Sequence, residues 1–315
     1  YGFPESHSVS FAYLVYSSAW IKLHEPAVFC ASLLNAQPMG FWAPHSLVQD
    51  AKRHGVVVRS VDINASRADA TLEECGESTG GLAVRLGVGS VRGLSSAVAR
   101  EIETHRPFVN MEDLVRKVPQ LHIAQLEALA TAGAFNESFG QQRRDALWSA
   151  GAVIQSRPDR LQGVTTGAAS PQLPGMQPID EMIADLWATG VASSGHPTEF
   201  LRTELERMGV ATAAELPMCG VRGDEKVLVA GTVTHRQRPA TAQGVTFISL
   251  EDETGLINVV CSPGCWIRYR KVARGSGALL VRGRLEVGDG GVINVAAEHI
   301  APLSVGAKVA TRNFR

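Results

Sequence analysis

From about Glu225 onward the hydrophobic period of this chain is two. Five stretches carry it: Val227 to His235, Val245 to Leu250, Leu256 to Cys261, Ala278 to Val287 and Val292 to Ala297. A helical stretch near Trp266 to Ala273 separates the third from the fourth. Five strands with a helix after the third predict a small Greek-key barrel of the OB type. No other stretch of the chain restricts the fold as tightly, because a closed barrel must satisfy register, alternation and edge pairing together.

Upstream the period is helical. Val9, Leu14, Val15, Trp20 and Ile21 recur at helical spacing from Ser6 to His24, and Pro26 ends that run. Pro26 then suits the first turn of a second helix through Leu34, QPMGF supplies a loop, and a third helix follows from about Pro44 to His54, with Gly55 as its C′ residue. Val56 to Asn64 reads as a strand leaving the helical block. Short helices are expected between Val88 and Gly133. From Gly140 to Pro178 the chain is rich in Gly, Pro, Ser and Thr and reads as a mobile linker. The helical pieces IDEMIADLWATG and TEFLRTELERMGV bridge to the barrel. The expected class is multidomain α+β: a helical segment over residues 1–65, a helical hairpin domain over 66–139, a linker with bridging helices over 140–220, the barrel over 221–303 and a tail over 304–315.

Charge narrows the function classes. Lys and Arg number 30 against 31 acids, so no global field draws the chain to nucleic acid or membrane, and any basic surface is local. Five scattered cysteines, Cys30, Cys75, Cys219, Cys261 and Cys265, form no disulfide framework and suit a reducing compartment, and the expected location is cytoplasmic. No apolar run reaches the roughly 18 residues of a membrane span. A chain opening on Tyr1 reads as a piece of a longer product.

The most informative local stretch is VGSVRGLSSAVAREI, Val88 to Ile102. A helix ending at Arg92 meets Gly93, Leu94 and Ser95, and a second helix begins at Ser96. Glycine lets backbone approach a phosphate, while the N–H groups at the following helix start point at it. Arg92, Gly93, Leu94, Ser95 and Ser96 are therefore candidate duplex-DNA contacts, with Leu94 plugging the turn from below. Arg85 and Arg100 stand close by. An ordinary packing turn between two helices is the alternative reading. Leu114 to Leu129 outline a second helical pair, and paired hairpins suit the two backbones of a duplex.

In the barrel, the first hairpin carries Arg236, Arg238 and Phe247, and the helix adds Arg268 and Lys271. Basic side chains beside an aromatic suit a single strand; solvated arginines and a core phenylalanine are the alternative. Cys261 and Cys265 have zinc-knuckle spacing, but a structural zinc needs two such pairs, so they read as packing residues and no metal is assigned.

YGFPESHSVSFAYLVYSSAWIKLHEPAVF resembles the end of the fingers domain in the bacterial DNA polymerase III alpha-subunit family. LNAQPMGFWAPHSLVQDAKRHGVVVRSVDIN, RQRPATAQGVTFISLEDETGLINVV and the tail ATRNFR are similar to its error-prone, damage-inducible branch. The hairpin stretch resembles a helix-hairpin-helix, with Ser95 in place of the second glycine. The resemblance covers nearly the whole chain and implies its carboxy-terminal half.

That resemblance implies an error-prone DNA-directed DNA polymerase of damage-induced mutagenesis and translesion synthesis. It places Ser6, His7 and Ser8 beside the triphosphate of an incoming dNTP, which a helix start with hydroxyl and imidazole donors suits. It implies Mg2+ held by palm aspartates outside this chain, so that the chain alone is inactive. Expected partners are primed-template DNA, dNTP and accessory proteins of the mutagenesis complex, including a polymerase-like protein through which the sliding clamp is reached indirectly. A standalone, non-enzymatic DNA-binding or scaffold protein is the alternative.

Overall fold

A computed structural model describes residues 5–156, 161, 167, 169–219, 226–288, 291–305 and 312–314, and it places the backbone but not the side chains of Ser6, Arg312 and Phe314. The expected linker residues 157–160 and 162–166, the expected barrel boundary at 221–225 and most of the tail lie outside the described residues. The chain divides into two compact units, residues 1–38 with 50–176, and residues 39–49 with 177–315.

Three helices open the chain: α1 (Glu5–His24), α2 (Pro26–Asn35, with Pro26 in its first turn) and α3 (Pro44–Arg53). Gly55 follows α3 at φ +77°, the left-handed stop its spacing predicts. The helix α1 forms where expected but does not bury its apolar residues, since Val9, Tyr13, Leu14, Val15, Tyr16 and Leu23 are all more than half exposed.

A small sheet comes next. Of the strand expected from Val56 to Asn64 only β1 (Val58–Arg59) is extended and paired; it runs parallel to β3 (Leu82–Arg85), which pairs antiparallel with β2 (Thr71–Glu74). Local periodicity does not reveal β2, whose four residues alternate between half-buried and exposed. Beyond Arg59 the chain turns on Asp62, whose carboxylate accepts from the backbone N–H groups of Asn64 and Ala65 and from the Ser138 hydroxyl.

The hairpin domain then follows as α4 (Ser96–His105), α5 (Met111–Lys117), α6 (Ile123–Thr131), the single turn α7 (Asn136–Phe139) and α8 (Arg143–Val153). Ile102, Leu114, Leu121, Leu126, Leu129 and Phe135 are fully buried here. The helix expected before Gly93 is only a 3-10 turn, Val88–Ser90, because the N–H groups of Val88 and Gly89 are spent on the carbonyls of Arg67 and Ala68. The segment read as mobile linker begins with α8, which packs on α5 and α6 through Ala146, Ala150 and Val153. Its three alanines and single glycine look unlike a periodic apolar face, yet small side chains are what close helix contact requires.

The second unit begins with α9 (Pro178–Ala188) and α10 (Arg202–Arg207), then β4 (Val210–Ala211). The barrel consists of β5 (Lys226–Gln237), β6 (Thr246–Glu251), β7 (Leu256–Cys261), helix α11 (Pro263–Gly275), β8 (Ala278–Val287) and β9 (Ile293–Pro302). The order β5-β6-β7-β9-β8 closes when β8 returns to β5. Strand β5 reaches both neighbours, pairing β8 from Lys226 to Thr232 and β6 from Thr232 to Gln237. Gly231 stands at that handover, where a Cβ would lie 2.8 Å from the Glu251 carbonyl oxygen, so a side chain cannot be accommodated. A short β10 (Arg312–Phe314) adds parallel to β5. Val229, Val233, Ile248, Leu250, Ile257, Val259, Val281 and Val295 fill the barrel. Among the described residues no helix is long and apolar enough to cross a membrane.

Candidate nucleic-acid interface

In the first unit, Gly93 adopts φ +79° in the turn between Val91 and α4, and the Leu94 N–H donates back to the Val91 carbonyl at 3.1 Å. A Cβ at Gly93 would meet nothing within 4 Å, so the turn faces open space and the glycine is needed for its conformation. Ser95 is the N-cap of α4: its hydroxyl accepts from the Val98 N–H at 3.3 Å. Where the family pattern has a second glycine, this chain has a helix cap. Arg92, Gly93, Ser95 and Ser96 are exposed and contiguous, whereas Leu94 is half-buried. The first N–H groups of α4 carry the positive end of its dipole.

Arg85 does not add charge to this surface. It is 4% exposed and held by Glu73 and Glu137, with Nε 2.8 Å from Glu73 Oε1. Arg100 is exposed on α4. The second hairpin is α5, the exposed Pro119 and Gln120, and α6, and it is joined to the first by Gln125, which sequence reasoning passed over.

At the amino terminus, His7 and Ser8 lie on the exposed face of α1, and the His7 ring meets Phe11 edge-on at 4.5 Å. The side chain of Ser6 is outside the described residues.

The barrel candidates fall in two places. Arg238 is exposed just beyond β5, and Phe247, 40% exposed, stands on β6 opposite Gln237. Arg268 and Lys271 lie three apart on the exposed side of α11. Arg236 belongs to neither place. It lies inside β5 rather than on the loop, is 6% exposed, and donates to the carbonyls of Ala273 and Ser276. Burial pushes its guanidinium down to about 10. A buried arginine committed to two backbone carbonyls is a structural brace, not a surface cation.

The closed register reveals a surface that the sequence hides. Phe247 pairs with Val260, which pairs with Ala296; Ser249 pairs with Asn258, which pairs with Asn294. One apolar row and one row of hydroxyl and amide groups thus run side by side across the outer face of β6, β7 and β9. Stacking and hydrogen bonding to bases need these two kinds of group. The pairing of β7 with β9 joins segments separated by α11 and β8, so no local pattern signals it.

The acids of the LEDE stretch hold the fold together. The Ser46 hydroxyl donates to Glu251, Asp252 accepts from the backbone N–H groups of Ala213, Thr254 and Gly255, and Glu253 binds Arg202 and Thr198. These carboxylates do not fit a pair of magnesium ions, and among the described residues no cluster of three or more His, Cys, Asp or Glu is placed to hold a metal. Cys261 is buried in the barrel core, where burial pushes its thiol up to about 12.

Comparison with known proteins agrees with this geometry. Residues 55–146 match a family described as "Helix-hairpin-helix motif", and residues 227–303 one described as "OB-fold nucleic acid binding domain". The "Error-prone DNA polymerase" of Mycolicibacterium paratuberculosis is 51% identical over 319 residues, covering 100% of this chain, and that of Nocardia farcinica is 52% identical over 326 residues with the same coverage. The chain spans 28% of the length of these relatives. Among solved structures, asparaginyl-tRNA synthetase from Pyrococcus horikoshii is 18% identical over 28% of this chain and 21% of its own, with a TM-score of 0.23, too slight a likeness to carry an argument. With half its residues identical from end to end, and with the hairpin and barrel domains in the positions expected for the carboxy-terminal half of a DNA polymerase III alpha subunit, the chain belongs to the error-prone DNA polymerase family.

Proposed function

We propose that this chain is the DNA-gripping portion of an error-prone DNA-directed DNA polymerase acting in damage-induced mutagenesis and translesion synthesis. The observation that carries the reading is the exposed Gly93 turn leading into the capped start of α4, beside a second hairpin, within a chain matched over its full length by error-prone polymerases. In this proposal residues 66–139 hold duplex DNA through Arg92, Gly93, Ser95 and Ser96. The barrel, residues 221–303, holds single-stranded template through Arg238 and Phe247, with Arg268 and Lys271 as a separate basic patch for nucleic acid or a protein partner. Residues 1–65 form part of the fingers, with Ser6, His7 and Ser8 near the triphosphate of the incoming dNTP. Mg2+ and its carboxylates belong to a palm outside these residues, so this chain by itself does not polymerise. The proposed setting is the cytoplasm, with accessory proteins of the mutagenesis complex linking the enzyme to the sliding clamp.

Fluorescence anisotropy on a primed template across a salt series tests the duplex grip. A log-log slope of about −3 or steeper means that several phosphates are neutralised. Gly93→Asp sets a carboxylate where a phosphate would approach, and it is expected to weaken binding several-fold and flatten the slope while the fold persists. Equal affinity of the two proteins removes this hairpin from the DNA path.

A further inference from the structure

The two hairpins are tied together at one side chain. Gln125, in the first turn of α6, donates through Nε2 to the Gly93 carbonyl at 2.8 Å, while its Oε1 accepts from the His122 N–H at 3.0 Å. A single amide thus caps the start of α6 and fixes the glycine turn 32 positions earlier in the chain. The peptide between Gly93 and Leu94 is held from both sides: its N–H is bonded to Val91, and its carbonyl, directed the other way, is bonded to Gln125. Released from Gln125, that carbonyl would be free to turn its partial negative charge toward the exposed surface beside Ser95 and Ser96, where it would oppose an anion.

We propose that Gln125 is a positioning residue for nucleic-acid binding: it locks the Gly93 peptide so that the starts of α4 and α6 present their N–H groups to the phosphates of one duplex in fixed register. The proposal rests on the duplex-grip reading above. Glutamine suits the task because one planar group carries both a donor and an acceptor. Glutamate keeps the acceptor for His122 and loses the donor for Gly93. Methionine, of similar length and without charge, loses both.

Two measurements on the whole chain test the proposal separately. Without DNA, hydrogen exchange of the Leu94 amide, whose N–H is bonded to the Val91 carbonyl, reads the lock itself, and Gln125→Met is expected to speed that exchange by about tenfold; unchanged exchange overturns the lock. With a primed-template duplex as the probe, Gln125→Met is expected to weaken binding about three- to tenfold and to flatten the log-log salt slope by about 0.9, one phosphate. The decisive comparison is a double-mutant cycle. The penalty of Gly93→Asp should shrink markedly in the Gln125→Met background, because the turn it acts on is already misplaced. A merely structural role would lower Tm and leave both the salt slope and the Gly93→Asp penalty intact, and that outcome overturns the proposal. If Gln125→Met does not fold, Gln125→Glu retains the α6 cap, and the same cycle run within its own background cancels the added charge. A wild-type chain that binds no duplex, yet shows faster exchange in the variant, sinks the duplex reading while leaving the lock standing.

Discussion

At the scale of single residues, chemical type and environment part company in this chain. Three arginines named as candidate cations occupy three different situations. Arg92 is exposed at the hairpin, Arg85 is locked between two glutamates, and Arg236 is buried and braces two backbone carbonyls. Nothing in their immediate neighbours separates them, since burial is decided by which strand lies opposite. Glu253 illustrates the same point with a testable consequence. Burial pushes its carboxyl up, but hydrogen bonds from Arg202 and Thr198 outweigh that effect and hold it below the ordinary carboxylate range. A carboxyl depressed in the folded state adds stability at pH above its unfolded value and loses that contribution as pH falls through its folded value. Glu253→Gln is therefore expected to cost about 1–2 kcal/mol at neutral pH, with the gap to wild type closing as acid titrates the carboxylate. Thermal melts at pH 7 and at about pH 3, below the unfolded carboxylate value, read the difference; a gap independent of pH counts against the ion pair.

At the scale of elements, the barrel hairpin yields a different test. Phe247 exposes 40% of its surface on a face whose neighbours are Val260 and Ser249, and Arg238 follows directly on β5. Phe247→Ala is expected to cost single-strand binding about 1–3 kcal/mol, the usual worth of a base-stacking aromatic. Arg238→Ala should flatten the salt slope by about one phosphate. Arg236→Ala, by contrast, strands two carbonyls that the guanidinium now satisfies, and it should lower the melting temperature and weaken every ligand alike. Oligonucleotide binding alongside thermal melts separates these outcomes. If Arg236→Ala lost strand binding with an unchanged melting temperature, the brace assignment would fail. The helix α1 shows the limit of reading elements one at a time: it is apolar all round and largely exposed here, a pattern suited to a helix seated inside a larger body.

At the scale of the whole molecule, residues 39–49 matter more than their length suggests. They comprise the end of the loop after α2 and the first six residues of α3, yet they group with the barrel unit. The Phe41 ring stacks on His235 at 4.4 Å and Trp42 meets the same imidazole edge-on at 4.8 Å. Ser46 and Gln49 add hydrogen bonds to Glu251 and to the carbonyls of Ala192 and Gly195. Phe41→Ala should destabilise the unit that carries β5 to β9 by about 1 kcal/mol, the worth of an aromatic pair beyond its buried area. Hydrogen exchange reads the effect as weaker protection of the β5 amides, and protection equal to wild type would mean that the stack contributes nothing.

The sequence by itself determined the elements whose signal is local. The alternation in β5 to β9, the proline and glycine bounds of α2 and α3, and the Gly93 turn with its capping serine each depend on residues within a few positions of one another. The resemblance to error-prone polymerases lay in the same contiguous stretches. Only the tertiary structure decided the rest: the 3-10 turn before Gly93, the helix α8 inside an apparent linker, the burial of Arg85 and Arg236, the paired rows on the barrel face, and the Gln125 tie between hairpins. Each of these depends on a partner a dozen or more residues away, and such a partner is chosen by the pairing of strands or the stacking of helices.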